Sequence, residues 1–276
     1  MDVETTPDIA RTLAVAVGQF APGTSTSANL EQLTTLAEKA ASRGAELIVF
    51  PEYSSYFAKD MGNDWVDAAQ PLDGVFATAI RELATRLGVY IVAGMVESSA
   101  EASRFSNTLI AVDPHGELVA TYRKVHLYDA FGQRESDWVI PGAIEAPATF
   151  AVGGVTVGLQ TCYDVRFPEV SRRLVDAGAD LVLVPAEWVR GPLKEHHWRT
   201  LLTARAIENT VYVAAADHAP PIGAGNSMII DPMGVELATI GENTDIGVAW
   251  IDLARIDAVR AVNPSLVNRR FGVREL

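Results

Sequence analysis

Cys162 is the only cysteine among 276 residues and lies in the stretch Gly158-Leu-Gln-Thr-Cys-Tyr-Asp-Val-Arg-Phe-Pro-Glu169. A thiolate is a strong nucleophile, but a free thiol, pKa about 8.5, is only a few per cent ionised at neutral pH and needs a base beside it. A carboxylate stands in a comparable place: Glu52 follows the apolar run Leu47-Ile-Val-Phe-Pro51 at once. Fixed positive charge is scarce in ammonium form, since of 22 basic residues only Lys39, Lys59, Lys124 and Lys194 are lysines. Each residue alone has a plainer reading. A lone cysteine is often a small buried hydrophobe, Glu52 a solvated strand-end acid, and Lys124 a surface residue of a hairpin. His115, His218 and the pair His196-His197 lack the spacing of metal ligands, so no metal is expected.

The elements around these residues read as α/β. Leu13 to Phe20 has β-branched Val15 and Val17 at alternate positions, a strand signal. Ser27 to Arg43 carries an apolar stripe at helical spacing and stops at Gly44. Leu47 to Pro51 is a buried strand that delivers Glu52 just past its end. Asp73 to Leu87 repeats the helical stripe and stops at Gly88, and Val89 to Val96 is a strand. Asn107 to Val112 and Glu117 to Arg123 form a hairpin about Asp113-Pro-His-Gly116. Val155 to Leu159 is a strand, and Pro168 suits the first turn of the helix that follows it. Cys162 thus falls in a strand-to-helix turn, where α/β proteins carry reactive side chains. The stretch from Lys124 to Ala148 is long and irregular, and loops of that length inside a compact domain are usually functional.

The two halves of the chain echo each other. Gly44-Ala-Glu-Leu-Ile-Val-Phe-Pro51 returns as Gly178-Ala-Asp-Leu-Val-Leu-Val-Pro185, Val15-Ala-Val-Gly18 as Val155-Thr-Val-Gly158, and Asn107 to Gly116 as Asn226 to Gly234. Three echoes in one order imply an internal pseudo-two-fold repeat. Two such halves, each a sheet with helices on one face, bury their bare faces against each other as a four-layer α-β-β-α sandwich. Residues 1–276 then form a single domain, with a tail from about Asn263 that is a candidate intersubunit arm. Net charge is −13 and no basic cluster exceeds a pair, which disfavours nucleic acid and anionic membranes as partners. One cysteine excludes an intrachain disulfide and fits a reducing compartment. The acidic start, Met1 to Asp8, reads as no secretory signal, and no apolar run is long enough to span a bilayer. A cytoplasmic protein is expected.

Phe50-Pro-Glu52, Tyr122-Arg-Lys-Val-His-Leu127 and Cys162-Tyr-Asp-Val-Arg-Phe-Pro-Glu169 resemble, in order and spacing, the three signature motifs of the nitrilase superfamily of carbon–nitrogen hydrolases. The resemblance covers nearly the whole chain. It implies Cys162 as nucleophile, Glu52 as general base and acid, Lys124 as stabiliser of the tetrahedral oxyanion, and a second glutamate at Glu135. No cofactor is implied. A carboxylate near the thiol can take its proton and return it to departing ammonia, while Lys124 and the Tyr163 N–H can hold an oxyanion.

The residues after Cys162 look most like the branch of omega-amidases and deaminated-glutathione amidases, which implies a small amide with a distal carboxylate. Arg166 is the candidate reader of that carboxylate, unless it pairs with Asp164 or Glu169 and only braces the turn. Glu187 and Trp188, just past the strand equivalent to that of Glu52, are expected to border the pocket. His126 reads as part of the wall, and Asn107, Glu208 and Asn209 as structural hydrogen-bonders. A carbamoyl-amide or simple aliphatic amide hydrolase is the alternative within enzymes of this kind. A metal-dependent phosphoesterase shares the sandwich architecture but would need ligand clusters at strand ends that the sequence lacks. A homodimer or higher homo-oligomer is expected.

Overall fold

A computed structural model describes residues 12–275. Met1 to Asp8, read above for targeting, falls outside the described residues. The chain opens with β1 (Thr12–Gln19), α1 (Thr26–Ser42), β2 (Leu47–Val49), α2 (Asn63–Ala68), α3 (Val75–Leu87) and β3 (Tyr90–Ser98). The hairpin β4 (Phe105–Val112) and β5 (Leu118–Arg123) follows, and beyond the long loop come β6 (Thr149–Val152) and β7 (Val155–Leu159). A 3-10 turn at Cys162–Arg166 leads into α4 (Pro168–Asp176), then β8 (Leu181–Ala186), α5 (Lys194–Asn209) and β9 (Tyr212–Asp217). The chain ends with β10 (Met228–Ile230), β11 (Glu236–Thr239), β12 (Asp245–Asp252) and α6 (Leu253–Val262).

The strands form two six-stranded mixed sheets, ordered β12-β1-β2-β3-β4-β5 and β6-β7-β8-β9-β10-β11. In each, three central strands are parallel and the flanking ones antiparallel. Strand for strand, the second sheet repeats the first. The echoes in the sequence mark equivalent strands: β1 with β7, β2 with β8, and the β4–β5 hairpin with β10–β11.

Strand periodicity sorts side chains between two buried layers, because successive residues face opposite sides of a sheet. Leu13, Val15, Val17, Leu47 and Val49 of the first sheet meet Val157, Leu159, Leu181, Leu183 and Ile229 of the second. The alternate residues, Ala16, Ile48 and Ile91, face outward onto Leu33 and Leu36 of α1 and Phe76 and Ile80 of α3. On the far side Val182 and Val184 pack with Leu174 of α4 and Trp198 and Leu202 of α5. The central strands are therefore apolar over most of their length, with polar residues such as Gln19, Glu97 and Asp217 near their ends, as expected of strands covered on both faces. Local signals fix the helix ends: the Ser25 hydroxyl accepts from Ala28 N–H at the start of α1, and Gly88 takes φ +68° at the end of α3.

Two strands were not anticipated. β6 and β12 are the antiparallel edges beside β7 and β1, and β12 completes the first sheet from the far end of the chain. From Asn263 the tail has no helix or strand. It lies back on α4, with Arg269 paired to Asp176 at 2.7 Å and Leu266 against the outer core of the second sheet. No helix among the described residues is long and apolar enough to cross a membrane.

Candidate active site

Glu52 leaves the end of β2 and is 1% exposed. Its turn passes so close to β3 that a Cβ at Gly94 would come within 2.6 Å of Glu52 Cα and Tyr53 N. His218, buried at the end of β9, donates from Nε2 to the Glu52 carbonyl at 2.6 Å, which fixes its tautomer since a carbonyl only accepts. Burial pushes His218 down to about 4, so the ring is neutral. The Glu52 carboxylate accepts from Asn107 Nδ2 at 2.6 Å, Lys124 Nζ at 2.8 Å and Glu187 N–H at 2.7 Å.

Lys124 stands one residue past β5 and is 2% exposed. Its backbone is held on both sides, N–H to Asn107 O at 2.9 Å and O from Gly142 N–H at 2.8 Å. A bidentate Arg123–Glu97 pair at 2.7 and 2.6 Å anchors the preceding residue. Its ammonium lies 2.8 Å from Glu52 and 2.9 Å from Glu135. Burial works against that charge, yet the Glu135 and Glu52 carboxylates outweigh it and hold Lys124 well above an ordinary lysine. Glu135 comes from a single 3-10 turn, Glu135–Asp137, in the long loop. It also accepts from the Tyr53 hydroxyl at 2.6 Å, Asn107 Nδ2 at 3.1 Å and Tyr128 N–H at 2.5 Å. Asn107, expected to be structural, therefore bridges the two carboxylates.

Cys162 begins the turn after β7 with φ +46°, a left-handed conformation that costs a non-glycine residue about 1–3 kcal/mol. The strain is held in place by a capping box: Thr161 and Asp164 exchange hydrogen bonds between side chain and backbone. Thr161 Oγ1 also donates to Pro185 O on β8 at 2.8 Å. The Asp164 carboxylate accepts from Tyr122 at 2.6 Å and pairs with His126 Nδ1 at 2.8 Å. His126 stacks on Phe167 at 3.8 Å, so it ties the loop to the Cys162 turn; it lines the neighbouring cleft and not the cavity of Cys162. The thiol donates to Glu187 O at 3.5 Å. Burial, then the Glu52 charge, pushes the Cys162 thiol well above its usual range, against the pull of Lys124. It is a neutral thiol at rest.

These groups share a cavity of about 620 Å³ with Tyr53, Tyr128, Glu187, Trp188 and Lys194. Glu187 Oε1 has no hydrogen-bond partner, and burial, then Glu52, pushes its carboxyl well above the usual range. Trp188 both packs and lines: its ring lies 5.3 Å from that of Trp198, and its Nε1 donates to Lys194 O at 2.8 Å. Tyr163 follows Cys162 in the turn, its ring edge-on to Tyr128 and Phe167. Arg166 is set behind the cavity wall, its guanidinium over Trp188 at 4.8 Å and Phe131 at 5.7 Å. Neither Asp164 nor Glu169 is its partner; its one polar contact is His197 Nδ1 at 3.5 Å. Lys194 and Tyr128, not singled out as site residues from sequence, border the cavity directly. The scarcity of lysine was the one sequence signal that could have drawn notice to Lys194. A larger cleft of about 920 Å³, on the other side of His126 and Phe167, contains none of the four proposed catalytic residues. Among the described residues no group of three or more His, Cys, Asp or Glu could hold a metal ion.

A thiol beside a buried Glu–Lys–Glu network at the rim of a doubled α/β sandwich defines a class, and comparison with known proteins agrees. The family described as carbon–nitrogen hydrolase matches residues 14–261. A deaminated glutathione amidase of Escherichia coli is 40% identical over 266 residues, covering 96% of this chain and all of that one. The NitFhit protein of Caenorhabditis elegans superposes with a TM-score of 0.86 at 31% identity; the match covers 94% of this chain and 65% of that longer one. An amidase of Nesterenkonia sp., solved with the acetamide moiety of fluoroacetamide added covalently to its active-site cysteine, gives a TM-score of 0.78 at 27% identity over 96% of this chain and 95% of that one. The chain belongs to the carbon–nitrogen hydrolase family, within the nitrilase superfamily, and is a hydrolase of linear amides.

Proposed function

We propose that the protein hydrolyses a small carboxamide bearing a distal carboxylate, releasing ammonia through a thioester on Cys162. The observation that carries this reading is the neutral Cys162 thiol sharing one cavity with the buried Glu52–Lys124–Glu135 network. As sulfur attacks the amide carbon, Glu52 takes the thiol proton. The oxyanion that forms is held by Lys124 and the Tyr163 N–H, donors already in place before charge develops. Glu52 then protonates the nitrogen as the carbon–nitrogen bond breaks, and ammonia leaves. Water, deprotonated by the same carboxylate, attacks the thioester, and collapse returns the proton to the sulfur. Glu135 keeps Lys124 charged and aimed. Glu187 and Trp188 line the cavity, and Arg166 adds positive charge from behind Trp188.

The name of the Escherichia coli relative favours a second reading of the leaving group. Deaminated glutathione is itself an amide with carboxylate ends, and its cleavage would release an amine in place of ammonia. The test is an assay of both products over matched amides with and without a distal carboxylate. Faster turnover of the acidic members, undiminished by chelators, supports the proposal; equal rates would remove the substrate class, and loss on chelation restored by zinc or magnesium would remove the mechanism. We further propose that residues 1–276 act as one domain, in the cytoplasm, as a homodimer or higher homo-oligomer. The exposed Val267 and Phe271 of the tail, 85% and 91% accessible, support an intersubunit arm.

A further inference from the structure

We infer that Lys194 reads the distal carboxylate of the substrate, with the Arg166 charge behind it; the inference rests on the acidic-amide reading above. Lys194 opens α5 after Leu193, whose φ of +61° turns the chain sharply into the helix. Its side chain is 7% exposed, yet no carboxylate lies within ion-pair distance among the described residues. The ammonium donates to the Tyr128 hydroxyl at 2.6 Å and otherwise faces aromatic rings, Phe131 at 4.4 Å, Tyr128 at 4.8 Å and Trp188 at 5.3 Å. Arg166 shares two of those rings and likewise has no acidic partner. Two neighbouring cations without a counterion are costly in a partly desolvated place, more so in a chain whose net charge is −13. Burial, then the Arg166 charge, holds Lys194 below an ordinary lysine, so an arriving anion relieves the pair. Of the two cations only Lys194 borders the cavity that contains Cys162. An acyl chain with its amide carbon at the thiol would place a terminal carboxylate on Lys194 and the Tyr128 hydroxyl. The aromatic faces exclude water and strengthen the contact.

The experiment compares glutaramate, which has a terminal carboxylate, with pentanamide, its neutral analogue, in the wild type, Lys194→Met and Lys194→Arg. Lys194→Met is expected to lower kcat/KM for glutaramate roughly 30- to 300-fold, mostly through KM, as for loss of a desolvated charge partner. Its loss on pentanamide should be at least tenfold smaller, and Lys194→Arg should keep much of the preference for the acid. If the wild type prefers glutaramate and Lys194→Met keeps that preference, the inference is overturned while the proposed function stands. If the wild type shows no preference, or turns over neither amide, the acidic-amide reading and this inference fall together.

Discussion

At the scale of single residues the site is a balance of buried charges. Lys124 sits between two carboxylates that would otherwise face each other unpaired. Replacing it with Met should abolish turnover and destabilise the fold by about 3–5 kcal/mol in urea unfolding, the usual result of stripping one partner from a buried ionic group. A variant as stable as the wild type would mean that the carboxylates are relieved some other way. His218 makes a prediction in pH. Its folded value of about 4 lies below the ordinary 6.5, so between those values the unfolded chain binds the proton first. Stability should therefore fall as pH drops through that window, by up to about 3 kcal/mol from this group. His218→Phe should flatten that part of the urea-unfolding profile; a slope equal to that of the wild type would contradict the assignment.

At the scale of elements, strand ends place chemistry and close packing sets the tolerance. The Glu52 turn rests on Gly94 of β3, where any side chain meets backbone. Gly94→Ala should move the carboxylate and lower kcat roughly 100-fold, the order expected for a displacement near 1 Å. Some stability should go with it, while unchanged kinetics would show that the turn has slack. The apolar central strands and their echoes were legible in the sequence because β1, β2, β7 and β8 are buried on both faces. β6 and β12 were not, since edge strands alternate with polar residues and short runs such as Thr149–Val152 carry little pattern. Glu52 and Cys162 could be read from their places at strand ends. Glu135 was legible only through the resemblance of the motifs, and Lys194 was not placed at all, because a loop turn and a helix start are brought to the cavity by tertiary packing alone. Arg166 was expected either at the lip or paired with Asp164 or Glu169. The structure gives it aromatic neighbours because Asp164 is already engaged by His126, Tyr122 and Thr161.

At the scale of the whole molecule, duplication supplies two sheets whose facing surfaces make the core and whose rims make the cavity. Glu52 and Lys124 come from the first half, Cys162 and Lys194 from the second, so the site exists only where the sheets are packed. The tail crosses α4 with Phe271 turned outward. If it is an intersubunit arm, light scattering should find a dimer or larger species for the full chain. A chain ending at Val262 should dissociate at higher concentrations than the full chain does; a monomeric full chain would refute the arm.

The central claim is the covalent intermediate on Cys162. A Glu135→Gln variant slowed in turnover, mixed with an acidic amide and quenched, should gain the mass of the acyl group on the peptide containing Cys162. Cys162→Ala, treated in the same way, should gain none and release no ammonia. Turnover by Cys162→Ala at the wild-type rate would contradict the account.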